Sequence, residues 1–122
     1  MGASLEKSVA AACRAVADPV RVRILATILE AGELCVCHVE AAVGVSQSRA
    51  SRHLATLKRA GMVVDRREGA WVHYRVPRRP DAIARAILRL IRDTMETDAQ
   101  TRAIARRAVA LRDRTACQGG RR

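Results

Sequence analysis

The sequence predicts a mainly α-helical fold that carries one β-hairpin, and three observations lead to this fold class. Apolar residues recur at helical spacing over most of the 122 residues. Gly44 and Ser46 separate two short helical segments, which places a tight turn between them. Apolar and polar residues then alternate over residues 71–76, as in a strand with one buried face. Two short helices followed directly by a hairpin form a winged helix-turn-helix.

The boundaries of the elements follow from residues that favour helix ends. Asp18 can cap a helix that has a proline in its first turn, and Gly32 can end that helix. We expect the next helix to begin at residue 34 or 35. Leu90 belongs to an apolar stripe that is expected to face inward, and the pattern leaves open whether the last two helices are continuous. The predicted elements are helices over residues 4–17, 18–32, 34–43, 46–61, 81–97 and 101–114, and strands over residues 62–67 and 71–76.

Length and charge limit the classes of function. A chain of 122 residues fits one domain, here expected over residues 1–117, with a disordered basic tail over residues 118–122. Because so short a chain buries limited surface, a homodimer is expected as a further source of stability. The net charge of +11 attracts polyanions, either nucleic acid or an anionic membrane surface.

The expected location is the cytoplasm. Residues 1–7 lack the apolar run of a signal peptide, and no stretch is long and apolar enough to span a membrane. We therefore expect no membrane partner, and four cysteines that stay reduced. The sequence also contains no phosphate-cradling glycine loop and no nucleophile elbow, so we do not expect an enzyme.

Polar and basic side chains gather on the helix that begins at Ser46, which makes it the candidate reading helix. Gln and Arg can make paired hydrogen bonds to base edges in the major groove, and Ser can contact bases or phosphate. The hairpin adds arginines that can follow the DNA backbone or enter the minor groove. The candidate residues for binding double-stranded DNA are Ser46, Gln47, Ser48, Arg49, Ser51, Arg52, His53, Arg66, Arg67 and Arg75.

Cys35 and Cys37 add a second kind of chemistry. On one helix, a rotation of about 100° per residue would place their thiols about 200° apart, on nearly opposite faces. We therefore expect both sulfurs to hold one ion only if the start of this helix unwinds or bends, which would disturb the reading helix. Soft thiolates select trivalent arsenic, antimony, Cu(I), Cd or Zn. Two clustered thiols do not support a closed tetrahedral zinc site.

Three stretches of the sequence stand out together. They are Glu33-Leu34-Cys35-Val36-Cys37, Ser46-Gln47-Ser48-Arg49-Ala50-Ser51-Arg52-His53-Leu54 and Trp71-Val72-His73-Tyr74-Arg75. They resemble the ArsR/SmtB family of metalloregulatory repressors, and in particular its arsenic-responsive ArsR branch. The resemblance covers residues 18–76 and implies a homodimer, joined through its N- and C-terminal helices, that occupies operator DNA. It also implies that trivalent arsenic or antimony binds the cysteines and releases the DNA.

The sequence departs from that branch at Glu40, where the resemblance would place a third thiol. A site of three thiols within this helix is therefore excluded. Three alternatives stay open: Cys13 of either subunit as third ligand, Cys117 as third ligand, or two thiols alone. The last alternative suits a methylated trivalent arsenical with two exchangeable positions, so the inducer is inorganic or methylated. We expect His38 at the surface rather than among the ligands.

Two other functions fit part of the sequence. A thiol redox-responsive repressor would use Cys35 and Cys37 as a disulfide switch, which would need the same distortion of the helix. A sequence-nonspecific architectural protein would use only the positive charge, and its affinity would be uniform across unrelated duplexes.

Overall fold

The computed structural model describes residues 4–114, so Cys117 and the predicted tail over residues 118–122 lie outside the described residues. This part of the chain contains six helices and three short strands. They are α1 (Leu5–Val16), α2 (Pro19–Ala31), β1 (Leu34–Cys35), α3 (Val36–Val43), α4 (Gln47–Arg59), β2 (Val64–Glu68), β3 (Trp71–Arg75), α5 (Ala82–Met95) and α6 (Ala99–Arg114). The mainly helical winged fold expected from the sequence is confirmed.

Short polar side chains begin the helices, as the sequence predicts. The carboxylate of Asp18 accepts hydrogen bonds from the amides of Val20 (2.8 Å) and Arg21 (3.2 Å) at the start of α2. Ser46 does the same for α4 through the amide of Arg49. Gly44 ends α3 with φ at 83°, a left-handed conformation that glycine adopts without steric cost. These local signals set the turn between α3 and α4.

The prediction of a helix from residue 34 or 35 is wrong at its first turn. Leu34 and Cys35 instead form the short strand β1, which pairs antiparallel with β3 in a sheet of order β1-β3-β2. Cys35 lies opposite His73, and its extended backbone makes it the residue that precedes α3 rather than part of it. Pairing with the wing hairpin overrides the helical pattern because it satisfies the backbone groups of this segment.

The last two helices are separate. α5 ends at Met95 and α6 begins at Ala99, with a short turn between them. The carboxylate of Asp98 accepts a hydrogen bond from the amide of Thr101 (3.0 Å), as a helix-capping residue does. α6 then folds back against α2 and α3, and buries Ala105 and Ala108 completely. The small side chains let this helix approach the core closely.

The core is aliphatic and lies between α2, α4 and the helices around them. Ile24, Leu25 and Ile28 of α2 and Leu54 and Leu57 of α4 are all inaccessible to solvent. An aliphatic stripe buried in this way is the main source of stability in a small helical fold.

Some apolar side chains of the terminal helices point away from this core. Leu5 is 72% exposed and Val9 is 38% exposed on α1, and Leu90 is 65% exposed on α5. The expectation that Leu90 faces inward is therefore wrong within the protomer, whereas Ile91 and Met95 of the same helix are buried. The helical period places Leu90 on the edge of the stripe, where a small change of helix orientation exposes it. As for membranes, none of the helices in residues 4–114 combines the length and the apolar character needed to cross one.

We expect Asp18→Ala to lower the free energy of unfolding by about 1 kcal/mol at neutral pH, since it removes the cap of α2. Burial disfavours ionisation of Asp18, but the amides of Arg21 and Val20 and the Arg21 charge outweigh it and hold its pKa below the ordinary 3.8. The stabilisation is therefore complete above 3.8 and is lost as the pH falls through the lower pKa of the folded state. Urea denaturation from neutral to acidic pH would measure this.

The control is Asp93→Ala, because Asp93 is exposed on α5. The capping role would be contradicted if Asp93→Ala lowered the free energy of unfolding as much as Asp18→Ala does. It would also be contradicted if the loss of stability in Asp18→Ala were as large in acid as at neutral pH.

Candidate nucleic-acid interface and thiol cluster

The outer face of α4 carries most of the predicted DNA-reading residues. Ala50, Leu54 and Leu57 bury one side of this helix, so the residues between them face solvent. Its exposed residues include Gln47, Ser48, Arg49, Ser51 and Arg52. Ser46 is also exposed, and its hydroxyl caps the helix and lies 3.4 Å from that of Ser48. The result is a convex polar and cationic ridge, which is what the major groove accepts.

His53 differs from the other predicted reading residues because it is half-buried. Its Nδ1 atom lies 3.2 Å from Nη1 of Arg21, whose guanidinium also contacts the carbonyls of Ala15 and Arg14 at the end of α1. Burial, together with the nearby charges of Arg21 and of arginines on α4, lowers the pKa of His53 despite the opposing charge of Asp18. The ring is therefore neutral at neutral pH and joins α4 to the junction of α1 and α2.

The three predicted wing arginines occupy different environments. Arg67 is exposed on β2. Arg75 is half-buried on β3 and donates to the carbonyl of Val76 (3.2 Å). Arg66 is held by two carboxylates: it forms a paired contact with Glu33 (2.6 and 3.2 Å) and a third hydrogen bond to Glu68 (3.0 Å). Of the three, Arg67 is the one whose surroundings best fit a direct phosphate contact.

Cys35, Cys37 and His38 form a compact cluster, which we call the thiol cluster. One ligand atom from each residue lies within 4.8 Å of the other two, and Sγ of Cys35 is 3.5 Å from Nδ1 of His38. Cys35 is 1% exposed and His38 is 7% exposed, whereas Cys37 is half-buried. Both cysteines are disulfide-bonded in this structure, whereas Cys13 is free.

The expectation that the two thiols point to opposite faces of a helix is therefore wrong. It assumed that both cysteines are helical, whereas Cys35 precedes α3 with an extended backbone (φ −84°, ψ 165°). From that position its side chain turns toward the first turn of α3, where Cys37 lies. The two sulfurs meet without unwinding the helix.

His38 is the site residue that sequence reasoning missed, and its predicted surface location is wrong. It is the third residue of α3, and a side chain at this position meets the residue that precedes the helix, as in a capping box. Had the first residue of α3 been known, this spacing would have revealed the contact. Cys13 is exposed on α1 and does not belong to the thiol cluster of its own protomer, and Cys117 lies outside the described residues.

The thiol cluster is connected directly to the wing. Cys35 is paired with His73 on β3, and His73 is paired with Arg66 on β2, so these three residues form one row across the sheet. The ion pair between Glu33 and Arg66 connects the segment before Cys35 to β2 through side chains as well. The hydrogen bond from Arg66 is the main reason that the pKa of Glu33 is lowered.

A second connection comes from the C-terminal helix. The guanidinium of Arg112 on α6 donates to the carbonyl of Ala31 and lies 3.5 Å from that of Glu33. The segment that leads into Cys35 is thus held by α6 from one side and by the wing from the other.

Known proteins resemble this chain over the region that contains α4 and the thiol cluster. A family model described as "Bacterial regulatory protein, arsR family" matches residues 18–64. The chain is 40% identical over 90 residues to the arsenic resistance transcriptional regulator ArsR1 of Pseudomonas putida, with 70% of each protein covered. It is 48% identical over 60 residues to the arsenical resistance operon repressor of Escherichia coli, with 49% of this chain and 51% of that protein covered. The match thus spans about half the length of the second relative.

Solved structures resemble the fold as well. One is the homodimeric winged helix-turn-helix DNA-binding domain of a possible ArsR-family transcriptional regulator from Mycobacterium bovis. It has 31% sequence identity, a TM-score of 0.62, and coverage of 78% of this chain and 89% of that chain. Another is the antimony-specific transcriptional repressor AntR, with 27% identity, a TM-score of 0.62, and coverage of 78% and 83%.

Proposed function

The chain belongs to the arsR family of bacterial regulatory proteins, and from that premise we propose that it is a homodimeric repressor that trivalent arsenic or antimony releases from operator DNA. The observation that carries the proposal is the convergence of Cys35 and Cys37 at the start of α3, immediately before the helix that exposes the polar ridge. The relatives and structural neighbours reported above are named as regulators rather than enzymes.

DNA binding is supported by the shape and charge of α4. Its base-reading candidates are exposed near the N-terminal end of the helix, which is the end that reaches base edges in helix-turn-helix proteins. We assign Gln47, Arg49 and Arg52 to base contacts, and Arg67 to the DNA backbone. Ser46 acts through the cap of α4, and His53 acts by positioning α4 against α2.

Inducer binding is supported by the donor set of the thiol cluster. Trivalent arsenic and antimony are thiophilic, and two thiolates from the reduced protein can bind one atom of either element. A methylated trivalent arsenical, CH3As(OH)2, would react with the two thiols to form two As–S bonds, and its two hydroxyl groups would leave with the thiol protons as two water molecules.

Release of DNA follows from what the thiol cluster is attached to. An atom bound between the sulfurs of Cys35 and Cys37 changes their separation, and Cys35 cannot move without moving β1. Because β1 is paired with β3 and Glu33 holds Arg66, the displacement reaches the wing, while α3 carries it to α4. The coupling therefore needs a shift of packed elements rather than the unwinding of a helix.

Dimerisation is supported by the apolar side chains that the protomer leaves exposed. Leu5 and Val9 on α1 and Leu90 on α5 would be covered by a second copy. Two copies joined in this way would present two α4 helices to half-sites spaced about 34–36 Å apart, or a multiple of that distance, on a near-palindromic operator.

A redox-responsive repressor is the second candidate, and the participation of Cys35 and Cys37 in a disulfide bond favours it. Formation of that bond from two thiols releases two protons and two electrons, which an oxidant such as hydrogen peroxide must accept. Titrating the DNA complex separately with hydrogen peroxide and with arsenite distinguishes the two candidates. Release by arsenite under reducing conditions supports metalloid sensing, and release by peroxide alone supports redox sensing.

We expect Cys35→Ser and Cys37→Ser to bind operator DNA normally but to lose arsenite-induced release, because neither variant can hold the metalloid with two thiolates. Fluorescence anisotropy of labelled operator DNA, with a phosphine reductant present, measures both properties. Cys13→Ser is the matched control and should respond as wild type does, since Cys13 lies outside the thiol cluster of its protomer. Normal release from both Cys35→Ser and Cys37→Ser would refute the assigned site, and loss of release in Cys13→Ser would place Cys13 among the ligands.

We expect Arg52→Ala to weaken operator binding by about 1–3 kcal/mol while affecting unrelated duplexes much less, as the loss of a base contact does. Arg59→Ala, at the other end of α4, is the control and should weaken binding to both duplexes alike, as the loss of a phosphate contact does. Equal losses on both duplexes for Arg52→Ala would make it a phosphate contact.

We expect Glu33→Gln to bind arsenite with the same affinity as wild type but to release DNA less completely, because the neutral amide holds Arg66 less firmly. Glu68→Gln is the matched control, since it also contacts Arg66 but leaves the paired contact with Glu33 intact. The measurement is the ratio of operator affinities without and with arsenite. An unchanged ratio in Glu33→Gln would exclude this ion pair from the coupling.

We expect Leu90→Glu to shift the chain from dimer to monomer and thereby to weaken operator binding, because a charge would replace an apolar contact between protomers. Arg92→Glu, exposed on another face of α5, should stay dimeric. Sedimentation equilibrium at several protein concentrations distinguishes these outcomes, and a dimeric Leu90→Glu would place the interface elsewhere.

A further inference from the structure

We propose that a groove between α5 and the segment that follows the wing hairpin binds a short acidic segment of another protein. The groove has a volume of about 490 Å³, and we call it the arginine groove. Arginines of α5 and of the segment at residues 76–80 line it, together with one buried and one half-buried leucine. These residues are Arg78, Arg85, Arg89, Arg92, Leu88 and Leu29. The inference goes beyond the proposed function, because it concerns neither the thiols nor the reading face of α4.

The first argument is that these four guanidinium groups lack a partner of opposite charge. Within residues 4–114, none of them forms an ion pair or donates a side-chain hydrogen bond. Arginines elsewhere in the fold are held, as Arg66 is by a carboxylate and Arg112 by a backbone carbonyl. The groove is also lined by the carboxylate of Asp93, so four positive charges and one negative charge leave it with a net +3. An anion from outside the chain would supply the missing acceptors.

The second argument is that this arrangement works against the stability of α5. Arg85, Arg89 and Arg92 recur at intervals of four and three residues, so they share one face of the helix. All three are exposed, and like charges at these spacings destabilise a helix. Contacts within the fold therefore do not explain the cluster, whereas a ligand with several negative charges would turn the repulsion into attraction.

The third argument concerns the kind of anion. Arg85 and Arg92 lie seven residues apart, which is about 10 Å along a helix, so one small anion cannot reach every guanidinium. A peptide with several carboxylates can, because arginine pairs with a carboxylate through two parallel hydrogen bonds. Leu29 and Leu88 then offer an apolar surface to an apolar side chain of the same peptide. Arginine clusters recognise acidic motifs in this way in other proteins.

The fourth argument is that the groove lies away from the reading residues. α5 begins beside the C-terminal end of α4, since Oδ2 of Asp81 would be 3.8 Å from a Cβ atom placed on Gly61. The base-reading candidates are at the other end of α4, roughly 20 Å away by the rise of a helix of this length. A peptide in the arginine groove therefore leaves the DNA-reading face free.

The groove also stays open in the proposed dimer. A rotation of about 100° per residue puts Leu90 about 140° from Arg85 and about 160° from Arg92 around α5. A dimer that covers Leu90 thus leaves the arginine face of α5 in solvent. Two copies would present two grooves, and the dimer would bind the partner protein while it occupies DNA.

The test uses a fluorescein-labelled peptide of three Asp-Leu-Glu repeats and the full chain saturated with unlabelled operator DNA, so that the reading face is already occupied. We expect fluorescence anisotropy to show binding that is about tenfold weaker for the double variant Arg85→Gln/Arg89→Gln, because two charge-assisted contacts are lost. A peptide of Asn-Leu-Gln repeats, which lacks the charges, should not bind. A peptide of Asp-Ser-Glu repeats, which lacks the apolar side chains, should bind more weakly than the first.

The matched control is Arg106→Gln/Arg107→Gln, which removes the same charge from exposed positions of α6 outside the groove. It should bind the acidic peptide nearly as wild type does. Thermal melting should show that Arg85→Gln/Arg89→Gln is as stable as wild type, since the substitution relieves repulsion between like charges. A large loss of stability would mean that these arginines serve the fold, and it would overturn the proposal.

Three further results would also overturn it. Equal weakening in both double variants would show that the peptide responds only to the overall charge of +11. Displacement of the peptide by an excess of unrelated duplex would make the groove a DNA contact. Dissociation of the dimer in Arg85→Gln/Arg89→Gln, measured by sedimentation equilibrium, would assign the groove to a second copy. This variant should keep wild-type operator affinity and arsenite-induced release, so a failure here is distinguishable from a failure of the proposed function.

Discussion

The pairing of Leu34 and Cys35 with Tyr74 and His73 is the constraint on which the site depends. These two residues form β1, which adds a third strand to the wing hairpin. Because they are extended, α3 cannot start earlier. Because Cys35 is thereby extended, its sulfur turns toward Cys37 and His38 instead of facing away from them. One short strand thus creates the thiol cluster and attaches it to the wing.

The segment around β1 is held from three directions, which suits the displacement that we propose it transmits. The sheet holds its backbone, and Arg66 holds the carboxylate of Glu33. Arg112 of α6 contacts the backbone carbonyls of Ala31 and Glu33. An exposed ion pair by itself contributes little to stability. Here the paired geometry of Glu33 and Arg66 matters because it fixes the position of the wing relative to the thiols.

The candidate interface for DNA depends on the two faces of α4, of which one is buried and the other is exposed. Buried Ala50, Leu54 and Leu57 fix the helix against the core, and the residues between them are presented to solvent. His53 shows that this division is not set by polarity alone. A histidine on the polar face was expected to read DNA, but it is half-buried and contacts Arg21 of α2, so we propose that it positions α4.

The sequence by itself determined the order of the helices, their caps, the turn at Gly44 and the exposed polar face of α4, because these depend on neighbours within a few residues. It also indicated Cys35 and Cys37 as candidate ligands of a thiophilic ion. It could not determine that Cys35 is extended, that His38 is buried beside it, that Leu90 faces outward, or that Glu33 holds Arg66. Each of these depends on a strand or helix distant in sequence, and only the packing of the whole chain brings those partners together.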